Sequence, residues 1–432
     1  MGEVVLVARG FTRVDGALWC EGVPLRAIAE QVGTPSYVYS AASIREQYTA
    51  LIGALQSALD GVKVRVHYAV KANSSLALLN VLRELGAGVD IVSGGELFRA
   101  MAAGFSGADV VFSGVGKTDA EIQAALTAGI KMINVESPAE LYAVNAVAER
   151  MGVVAPIAFR VNPDVSVDTP HPYTRTGEHG MKFGIPDDQV LDVVRAAIDL
   201  PHVSLVGIAA HLGSQIAQSE PYAITARQLL DLCREIVALG VTTLKYLDVG
   251  GGLGVTYDNE VPTDVVAFAE MLAPIIRESG LELVLEPGRY LVANAGVLLT
   301  RIVYRKHSGG KEIMITDAGM NDLIRPSLYE AYHAIDSVEP ATASITADVV
   351  GPVCESGDFF ALDRVVSDVP QGGLLAVRSA GAYGYAMSSN YNTRPRPAEV
   401  LVDGDRFAVV TRRETYDDLI HLETLTPTWN EA

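Results

Sequence analysis

Lys71 directly follows an apolar run, and its amine is the first group in the chain that could carry covalent chemistry. In the run, residues 62–70, valines alternate with polar residues before the sequence becomes apolar, which is typical of a buried strand. A lysine held at such a place can form a Schiff base with an aldehyde if a dry site or a nearby cation activates it. A lone lysine at a strand end more commonly extends its ammonium into solvent.

Further reactive or binding groups follow later apolar runs in the same way. They are His211 and Ser214, the triple glycine Gly250, Gly251 and Gly252, and Glu286 with Gly288 and Arg289. A glycine run lets backbone N–H groups approach an anion such as phosphate, although it can also be a tight turn without a ligand. His211 could stack on a planar cofactor or be a core histidine. Glu286 could pair with a pyridinium nitrogen or simply with Arg289.

The runs before these residues belong to a regular alternation of strand-like and helix-like segments. The strand-like segments are residues 64–70, 89–93, 109–113, 132–136, 156–162, 205–211, 246–250 and 283–288. Eight such β/α units predict an α/β fold, a closed (β/α)8 TIM barrel over residues 36–300, with a doubly wound open sheet as the alternative. Since barrel enzymes carry their chemistry at the carboxyl ends of the strands, the barrel would gather all of these groups at one end.

The rest of the chain predicts a second, β-rich domain. Beyond residue 300, strand-like segments are separated by turn signals such as Asp403-Gly404, and Asp15-Gly16 precedes a similar short strand near the start. We therefore expect residues 1–35 and 301–432 to form one β-rich domain from both chain ends.

Composition excludes several classes of protein. Asp and Glu number 52 and Lys and Arg 33, so the formal charge of −19 argues against nucleic-acid and anionic-membrane partners. Three cysteines in a chain of 432 residues are no disulfide framework and favour a reducing compartment. No signal peptide or membrane-spanning run is evident, so we expect a cytoplasmic protein. We predict no metal site.

The strings YAVKAN, HLGSQ, DVGGGLG and EPGR, in this order, resemble the markers of the fold-type III pyridoxal-phosphate-dependent decarboxylases, whose barrel is of the alanine racemase type. The resemblance extends from residue 33 to the final strands. It implies pyridoxal 5′-phosphate as cofactor, with a Schiff base at Lys71 and the phosphate near Ser214 and the triple glycine. It also implies Glu286 at the pyridine nitrogen and His211 against the ring.

Three strings beyond the barrel, RPSLYEAYH, GPVCESGDFF and GAYGYAMSSNYN, resemble those of diaminopimelate decarboxylases rather than their ornithine or arginine relatives. Diaminopimelate is an amino acid at both ends, so its distal end needs cations for the carboxylate and an anion for the ammonium. Arg289 and Arg325 could provide the cations, with Tyr329 on the same helical face as Arg325, and Glu355 the anion.

The resemblance also assigns the remaining roles. It makes Cys354 the proton donor to Cα after CO₂ leaves and places Tyr383 beside the cofactor phosphate. The segment with Cys354 and Glu355 would reach the active site of a neighbouring subunit, which implies a homodimer with composite sites. The string TGEHGMKFG, in the loop at residues 164–184, keeps KFG but otherwise departs from the family pattern.

The predicted activity is therefore decarboxylation of meso-2,6-diaminopimelate to L-lysine, the last step of lysine biosynthesis. A decarboxylase of another basic amino acid, of the ornithine or arginine type, is the alternative with the same fold. A pyridoxal-phosphate-binding regulatory homologue without turnover is the alternative outside enzymology. A racemase is disfavoured because racemases of this fold place an arginine, not a carboxylate such as Glu286, near the pyridine nitrogen.

Overall fold

The computed structural model describes residues 4–167, 169–171, 176–177 and 180–430. Part of the loop at 164–184 therefore lies outside the described residues. Two compact units are present: a barrel unit, residues 41–295, and a β-rich unit, residues 1–40 together with 296–432. Each boundary lies five residues inside the predicted barrel limits of 36 and 300.

The first part of the chain forms a small antiparallel meander in the β-rich unit. Its elements are β1 (Val4–Ala8), β2 (Phe11–Val14), β3 (Ala17–Cys20), β4 (Val23–Pro24), α1 (Leu25–Val32) and β5 (Ser36–Ser40). Asp15 and Gly16 both have positive φ and form the two-residue turn between β2 and β3, as the sequence signal predicts. The strand β5 pairs within the larger sheet of the β-rich unit, not with a barrel strand.

Eight parallel strands close the barrel, which confirms the predicted fold. They are β6 (Val64–Ala69), β7 (Gly88–Ile91), β8 (Val110–Phe112), β9 (Met132–Val135), β10 (Ala155–Asn162), β12 (Val203–Ala210), β13 (Tyr246–Asp248) and β14 (Glu282–Leu285), with a two-residue strand, β11 (Ile185–Pro186), beside β10. Pairing of β14 with β6 and of β9 with β10 completes the ring. A buried cluster that includes Val111, Met132 and Val284 fills its interior.

Helices alternate with the barrel strands. They are α2 (Ala41–Ala58), α3 (Leu76–Glu84), α4 (Gly94–Ala102), α5 (Asp119–Ala128), α6 (Pro138–Met151), α7 (Asp187–Ile198), α8 (Glu220–Ala238), α9 (Val265–Ser279) and α10 (Arg289–Val292). Side chains of Ser93, Thr118 and Ser137 cap helix starts, and left-handed glycines such as Gly129 and Gly152 end helices. In the described part of the chain, no helix is long and apolar enough to span a membrane.

The rest of the β-rich unit is a nine-stranded mixed sheet. Its further elements are β15 (Gly296–Ser308), β16 (Lys311–Thr316), α11 (Arg325–Tyr329), β17 (Ile335–Ser337), β18 (Ser344–Val350), β19 (Phe359–Ser367), β20 (Leu374–Val377), β21 (Ala398–Asp403), β22 (Arg406–Thr411) and α12 (Tyr416–Ile420). The path runs β19-β18-β16-β15-β5-β21-β22, and β20 pairs with both β15 and β17. This sheet packs against α1 and the meander through a core that includes Leu25, Val38 and Val400.

Candidate active site

Lys71 lies one short turn beyond the end of β6, in a 3-10 helix over residues 70–72. Its Nζ donates to Oδ2 of Asp90 at 2.8 Å, and Asp90 on β7 is completely buried. Ala69, two residues before Lys71, pairs with Asp90 across β6 and β7, and this pairing brings Lys71 close to Asp90. The amine is therefore held at the carboxyl end of the barrel by a charge-assisted hydrogen bond, while a third of its side chain remains exposed.

Three acids lie together in the barrel interior: Asp90, Asp248 and Glu286. Oε1 of Glu286 accepts hydrogen bonds from Asn134 at 3.2 Å and from Ser113 at 3.4 Å. Burial raises the pKa of Glu286 well above its usual value, and the charges of Asp248 and Asp90 raise it further, against the opposing effect of Lys71. Burial likewise raises the pKa of Asp248.

Asp248 and Glu286 are close enough for their charges to interact, since the charge of Asp248 raises the pKa of Glu286. Oδ1 of Asp248 accepts from the N–H of Gly250 at 2.8 Å, but no donor among the described residues reaches its Oδ2. The raised pKa values mean that these two buried acids hold protons to a higher pH than ordinary carboxyl groups do.

His211 follows β12 and is neutral. Its Nδ1 accepts a hydrogen bond from the N–H of Gly251 at 3.0 Å, which requires that this nitrogen carry no proton. Burial, followed by the charges of Arg160 and Lys71, lowers the pKa of His211 well below its usual value. The imidazole therefore has its proton on Nε2.

The triple glycine follows β13 because the backbones there approach too closely for any side chain. A Cβ on Gly251 would lie 2.0 Å from the carbonyl oxygen of Glu286, and Gly250 and Gly252 have φ values of 72° and 96°. However, the N–H groups of Gly250 and Gly251 already donate to Asp248 and His211. Two of the three N–H groups that the sequence assigned to a phosphate thus donate to protein groups at the barrel end instead.

Arg289 lies at the start of α10 and is buried. Its Nε and Nη2 donate to the hydroxyl of Ser214 at 3.2 and 3.0 Å, and its Nη1 donates to the hydroxyl of Tyr257 at 2.6 Å. A Cβ on the preceding Gly288 would lie 2.9 Å from the Cβ of Ala72, so glycine is needed for the segment to pass beside the turn of Lys71. Arg289 and Ser214 thus form a polar cluster at the same barrel end.

Several polar residues of this end were not singled out from the sequence. Arg160 on β10 is buried and contacts both carboxylate oxygens of Glu136 at 3.1 Å, and the same carboxylate accepts from the N–H of Gly114. A polar residue inside an otherwise apolar strand is the signal that could have identified Arg160, Asp90 and Asn134. No group of three metal-ligating side chains occurs in the part of the chain that the structure describes.

In the β-rich unit, Arg325 begins the short helix α11 and Tyr329 ends it, so the predicted helical spacing is present. Arg325 is 7% exposed, and its Nη1 donates to Nε2 of His333 at 3.0 Å. Arg289 and Arg325, which the sequence assigned to one carboxylate, therefore belong to different units.

Cys354 and Glu355 are exposed on a loop whose backbone is held by hydrogen bonds to the buried carboxylate of Asp358. Oδ1 and Oδ2 of the buried Asp358 accept from the N–H groups of Met320 and Val353, each at 2.6 Å. The N–H of Cys354 donates to Oδ1 of Asn392 at 2.7 Å. The thiol is thereby presented outward on a backbone that is held in place.

Tyr383 is half-buried and adopts a left-handed backbone, with φ of 56°. The nearby Gly384 has no room for a side chain, because a Cβ there would lie 2.5 Å from the carbonyl oxygen of Ala380 and 2.8 Å from the hydroxyl of Tyr37. A strained conformation of this kind persists only where the surroundings fix it, and such positions cluster at functional sites.

The raised pKa values of Asp248 and Glu286 predict a pH effect on stability. Folding raises the pKa of both acids, so their contribution to the free energy of unfolding is full below about pH 4 and is lost as the pH rises through the folded values. We expect Asp248→Asn to be least stable relative to wild type near pH 4 and to gain on it steadily toward pH 8. Urea unfolding across this range measures the difference. Asp231→Asn, a surface change, is the control, and parallel curves for Asp248→Asn and wild type would contradict the raised pKa of Asp248.

Comparison with known proteins places this geometry in a family. Residues 41–293, nearly the whole barrel unit, match the family described as pyridoxal-dependent decarboxylase, pyridoxal binding domain. The chain is 50% identical over 418 residues to the diaminopimelate decarboxylase of Pseudomonas aeruginosa, covering 96% of this chain and 99% of the relative. It is 48% identical over 415 residues to that of Vibrio cholerae, covering 96% and 98%.

Solved structures give the same result. The chain is similar to diaminopimelate decarboxylase from Helicobacter pylori complexed with L-lysine, with 37% identity, a TM-score of 0.88 and coverage of 92% of this chain and 99% of that one. The enzyme from M. jannaschii in co-complex with L-lysine is 35% identical, with a TM-score of 0.91 and coverage of 96% and 97%. A lysine/ornithine decarboxylase from Vibrio vulnificus, 22% identical with a TM-score of 0.77, shares the fold. This chain belongs to the diaminopimelate decarboxylase family of pyridoxal-dependent decarboxylases.

Proposed function

We propose that this protein decarboxylates meso-2,6-diaminopimelate to L-lysine and CO₂ with pyridoxal 5′-phosphate. The observation that carries the proposal is the joint presence, at one barrel end, of the Lys71 amine and the buried acids Asp248 and Glu286. A lysine can bind an aldehyde, and a buried carboxylate suits a ring nitrogen that must keep its proton, because its negative charge stabilises the pyridinium. The names of the close relatives then favour diaminopimelate among the possible amino acids.

The residues at the barrel end fit pyridoxal phosphate. A Cβ on Gly251, Gly252 or Gly288 would meet protein atoms, so these glycines let the backbone pack closely around the proposed site. The buried acceptor Oδ2 of Asp248 has no hydrogen-bond donor among the described residues, which suits a site completed by a ligand. The residues that we propose to hold the cofactor are Lys71, His211, Ser214, Gly250, Gly251, Gly252, Glu286, Gly288, Arg289 and Tyr383.

Each of these residues has a distinct task. Pyridoxal phosphate, when bound, supplies an electron sink next to Cα of the substrate. Lys71 would bind the aldehyde, and Asp90 would accept from the Lys71 ammonium when the amine is free. Glu286 would lie at the ring nitrogen, where its carboxylate would favour the protonated form. His211, being neutral, would pack on the ring without adding a charge that opposes the protonated nitrogen.

The phosphate would lie beside Ser214 and Arg289, with the N–H of Gly252 as a further donor. Gly250 and Gly251 are not phosphate donors in this proposal, because their N–H groups donate to Asp248 and His211. Arg289 then acts through Ser214, whose hydroxyl accepts from two nitrogens of the guanidinium and keeps its own hydrogen for the phosphate.

We assign recognition of the distal end of diaminopimelate to the β-rich unit. Arg325 and Tyr329 would bind the distal carboxylate, and the exposed Glu355 the distal ammonium. A substrate without a distal carboxylate, such as ornithine, does not need the buried guanidinium of Arg325. The buried position of Arg325 therefore favours diaminopimelate over the ornithine-type or arginine-type alternative.

Cys354 would return a proton to Cα after CO₂ leaves. The S–H bond breaks, a C–H bond forms, and the thiolate regains its proton from solvent before the next turnover. We propose that Cys354 and Glu355 act in the active site of a partner subunit, so that the functional protein is a homodimer with composite sites. The three unpaired cysteines also support a cytoplasmic location.

The substrate assignment predicts a selective defect at Arg325. Wild-type protein with pyridoxal phosphate should release CO₂ and lysine from meso-diaminopimelate. It should release CO₂ from ornithine or arginine only at a much lower rate. Arg325→Leu should raise KM for diaminopimelate at least about tenfold, because a charge-assisted contact is lost. Arg26→Leu, at an exposed arginine of the same unit, is the control. Preferred turnover of ornithine, or an unchanged KM in Arg325→Leu, would favour the alternative substrate class; no turnover of any amino acid would favour the regulatory homologue.

Composite sites predict that two inactive variants can complement each other. A hybrid dimer of Lys71→Ala and Cys354→Ala has one site with both changes and one intact site. Random mixing should therefore restore up to about a quarter of wild-type activity. Mixing Lys71→Ala with Glu286→Ala, both in the barrel unit, is the control and should restore none. Equal behaviour of the two mixtures would show that Cys354 acts within its own chain.

A further inference from the structure

The guanidinium of Arg325 is held by a neutral histidine. Nη1 of Arg325 lies 3.0 Å from Nε2 of His333, and Nδ1 of His333 lies 2.7 Å from the carbonyl oxygen of Arg378. A carbonyl oxygen only accepts and a guanidinium only donates, so the imidazole carries its proton on Nδ1 and a lone pair on Nε2. His333 is completely buried and accepts from Arg325 without adding a charge.

The backbone fixes His333 in this position. It lies just before β17, which pairs with β20, and the N–H of Arg378 donates to the carbonyl oxygen of Ala334 at 2.8 Å. Arg364 donates to the carbonyl oxygen of His333 itself at 2.5 Å. On the other side, a left-handed Glu330 with φ of 51° ends α11 and turns the chain back toward Arg325.

The acceptor of another buried arginine in this chain is of the opposite kind. Arg160 contacts both oxygens of the Glu136 carboxylate, which places a negative charge beside it. A neutral acceptor such as His333 also orients a guanidinium but adds no negative charge of its own. The difference matters at a buried site, where charge interactions are stronger than in water.

We infer that His333 is a positioning residue that orients Arg325 toward a carboxylate ligand without supplying a counter-charge, and that this neutrality sets selectivity for ligands with a distal carboxylate. The inference rests on the proposed role of Arg325 in binding that carboxylate. It adds that the charge state of a residue outside the ligand's reach decides how strongly the carboxylate is preferred.

Two ligands isolate the effect. L-Lysine and 1,5-diaminopentane have the same carbon chain and the same two amines and differ only in the carboxylate. The ratio of their dissociation constants for the enzyme loaded with pyridoxal phosphate, measured by calorimetry, therefore reports on the carboxylate site alone. The wild-type ratio should favour lysine at least about tenfold.

Three substitutions separate orientation from charge. His333→Gln keeps a neutral acceptor for Arg325 and should keep most of the lysine preference. The side chain introduced by His333→Glu is nearly isosteric with that of His333→Gln but carries a negative charge. The preference for lysine over 1,5-diaminopentane should therefore fall at least about tenfold, with binding of 1,5-diaminopentane unchanged or tighter. His333→Leu removes the acceptor and should also lower the preference. In kinetics, KM for diaminopimelate should rise in the Glu and Leu variants far more than kcat falls.

The control is Tyr39→Phe, which removes one buried hydrogen bond to Glu399 in the same unit and should lower thermal stability without changing the lysine preference. Equal preferences in the Gln and Glu variants would overturn the inference. If His333→Glu does not fold, the Gln and Leu variants decide, because equal preferences in these two would also overturn it. A wild-type enzyme that shows no preference for lysine would instead remove Arg325 from carboxylate binding, and the proposed substrate with it.

Discussion

Burying several carboxyl groups in one layer of a barrel is costly unless a cation, a hydrogen-bond donor or a proton compensates them, and the active end of this barrel is organised around that requirement. Asp90 is completely buried and takes Lys71 as its cation, while burial raises the pKa of Asp248 and of Glu286. The contacts that stabilise the buried acids therefore also fix the position of the Lys71 amine.

Close backbone packing follows from the same arrangement. The N–H of Gly250 serves Asp248, and the N–H of Gly251 serves the neutral His211, so the glycine turn is part of the electrostatic network. A side chain on Gly251 would collide with the carbonyl oxygen of Glu286. The turn thus links the acid pair to the imidazole, and both would face the same ligand.

The β-rich unit meets a different requirement. We propose that it binds the distal end of the substrate, and two of its contacts orient groups without placing a negative charge directly beside them. His333 accepts from Arg325 as a neutral ring, and Asp358 fixes the loop of Cys354 through backbone N–H groups rather than through the exposed side chains. In the barrel, buried charges are paired; in the β-rich unit, the described contacts of Arg325 orient it with a neutral acceptor.

Much of this could be predicted from the sequence, for identifiable reasons. The number and order of the barrel strands follow from apolar runs that alternate with capped helices, and the position of Lys71, His211 and Glu286 after such runs places them at one end. The strand at 36–40 lies in the β-rich unit because its partners, β15 and β21, are more than 250 residues away, and a fully buried strand carries no signal of which sheet it joins.

The inward polar residues were harder to predict. Asp90, Asn134 and Arg160 are single polar residues in buried strands, and only barrel closure shows that they face one another. His333 is similar, since its contact with Arg325 depends on the pairing of β17 with β20. The string GGG also does not show which groups the glycine N–H groups donate to, because that depends on the folded positions of Asp248 and His211.

We propose that Lys71, held by Asp90 near the buried acids Asp248 and Glu286, is the amine that binds pyridoxal phosphate. The most direct measurement loads the protein with pyridoxal phosphate, reduces it with borohydride to make the linkage permanent, and locates the added mass on the peptides. We expect one modified lysine, Lys71, and no modification in Lys71→Ala. Stoichiometric labelling at another lysine, or none in the wild-type protein, would contradict the claim.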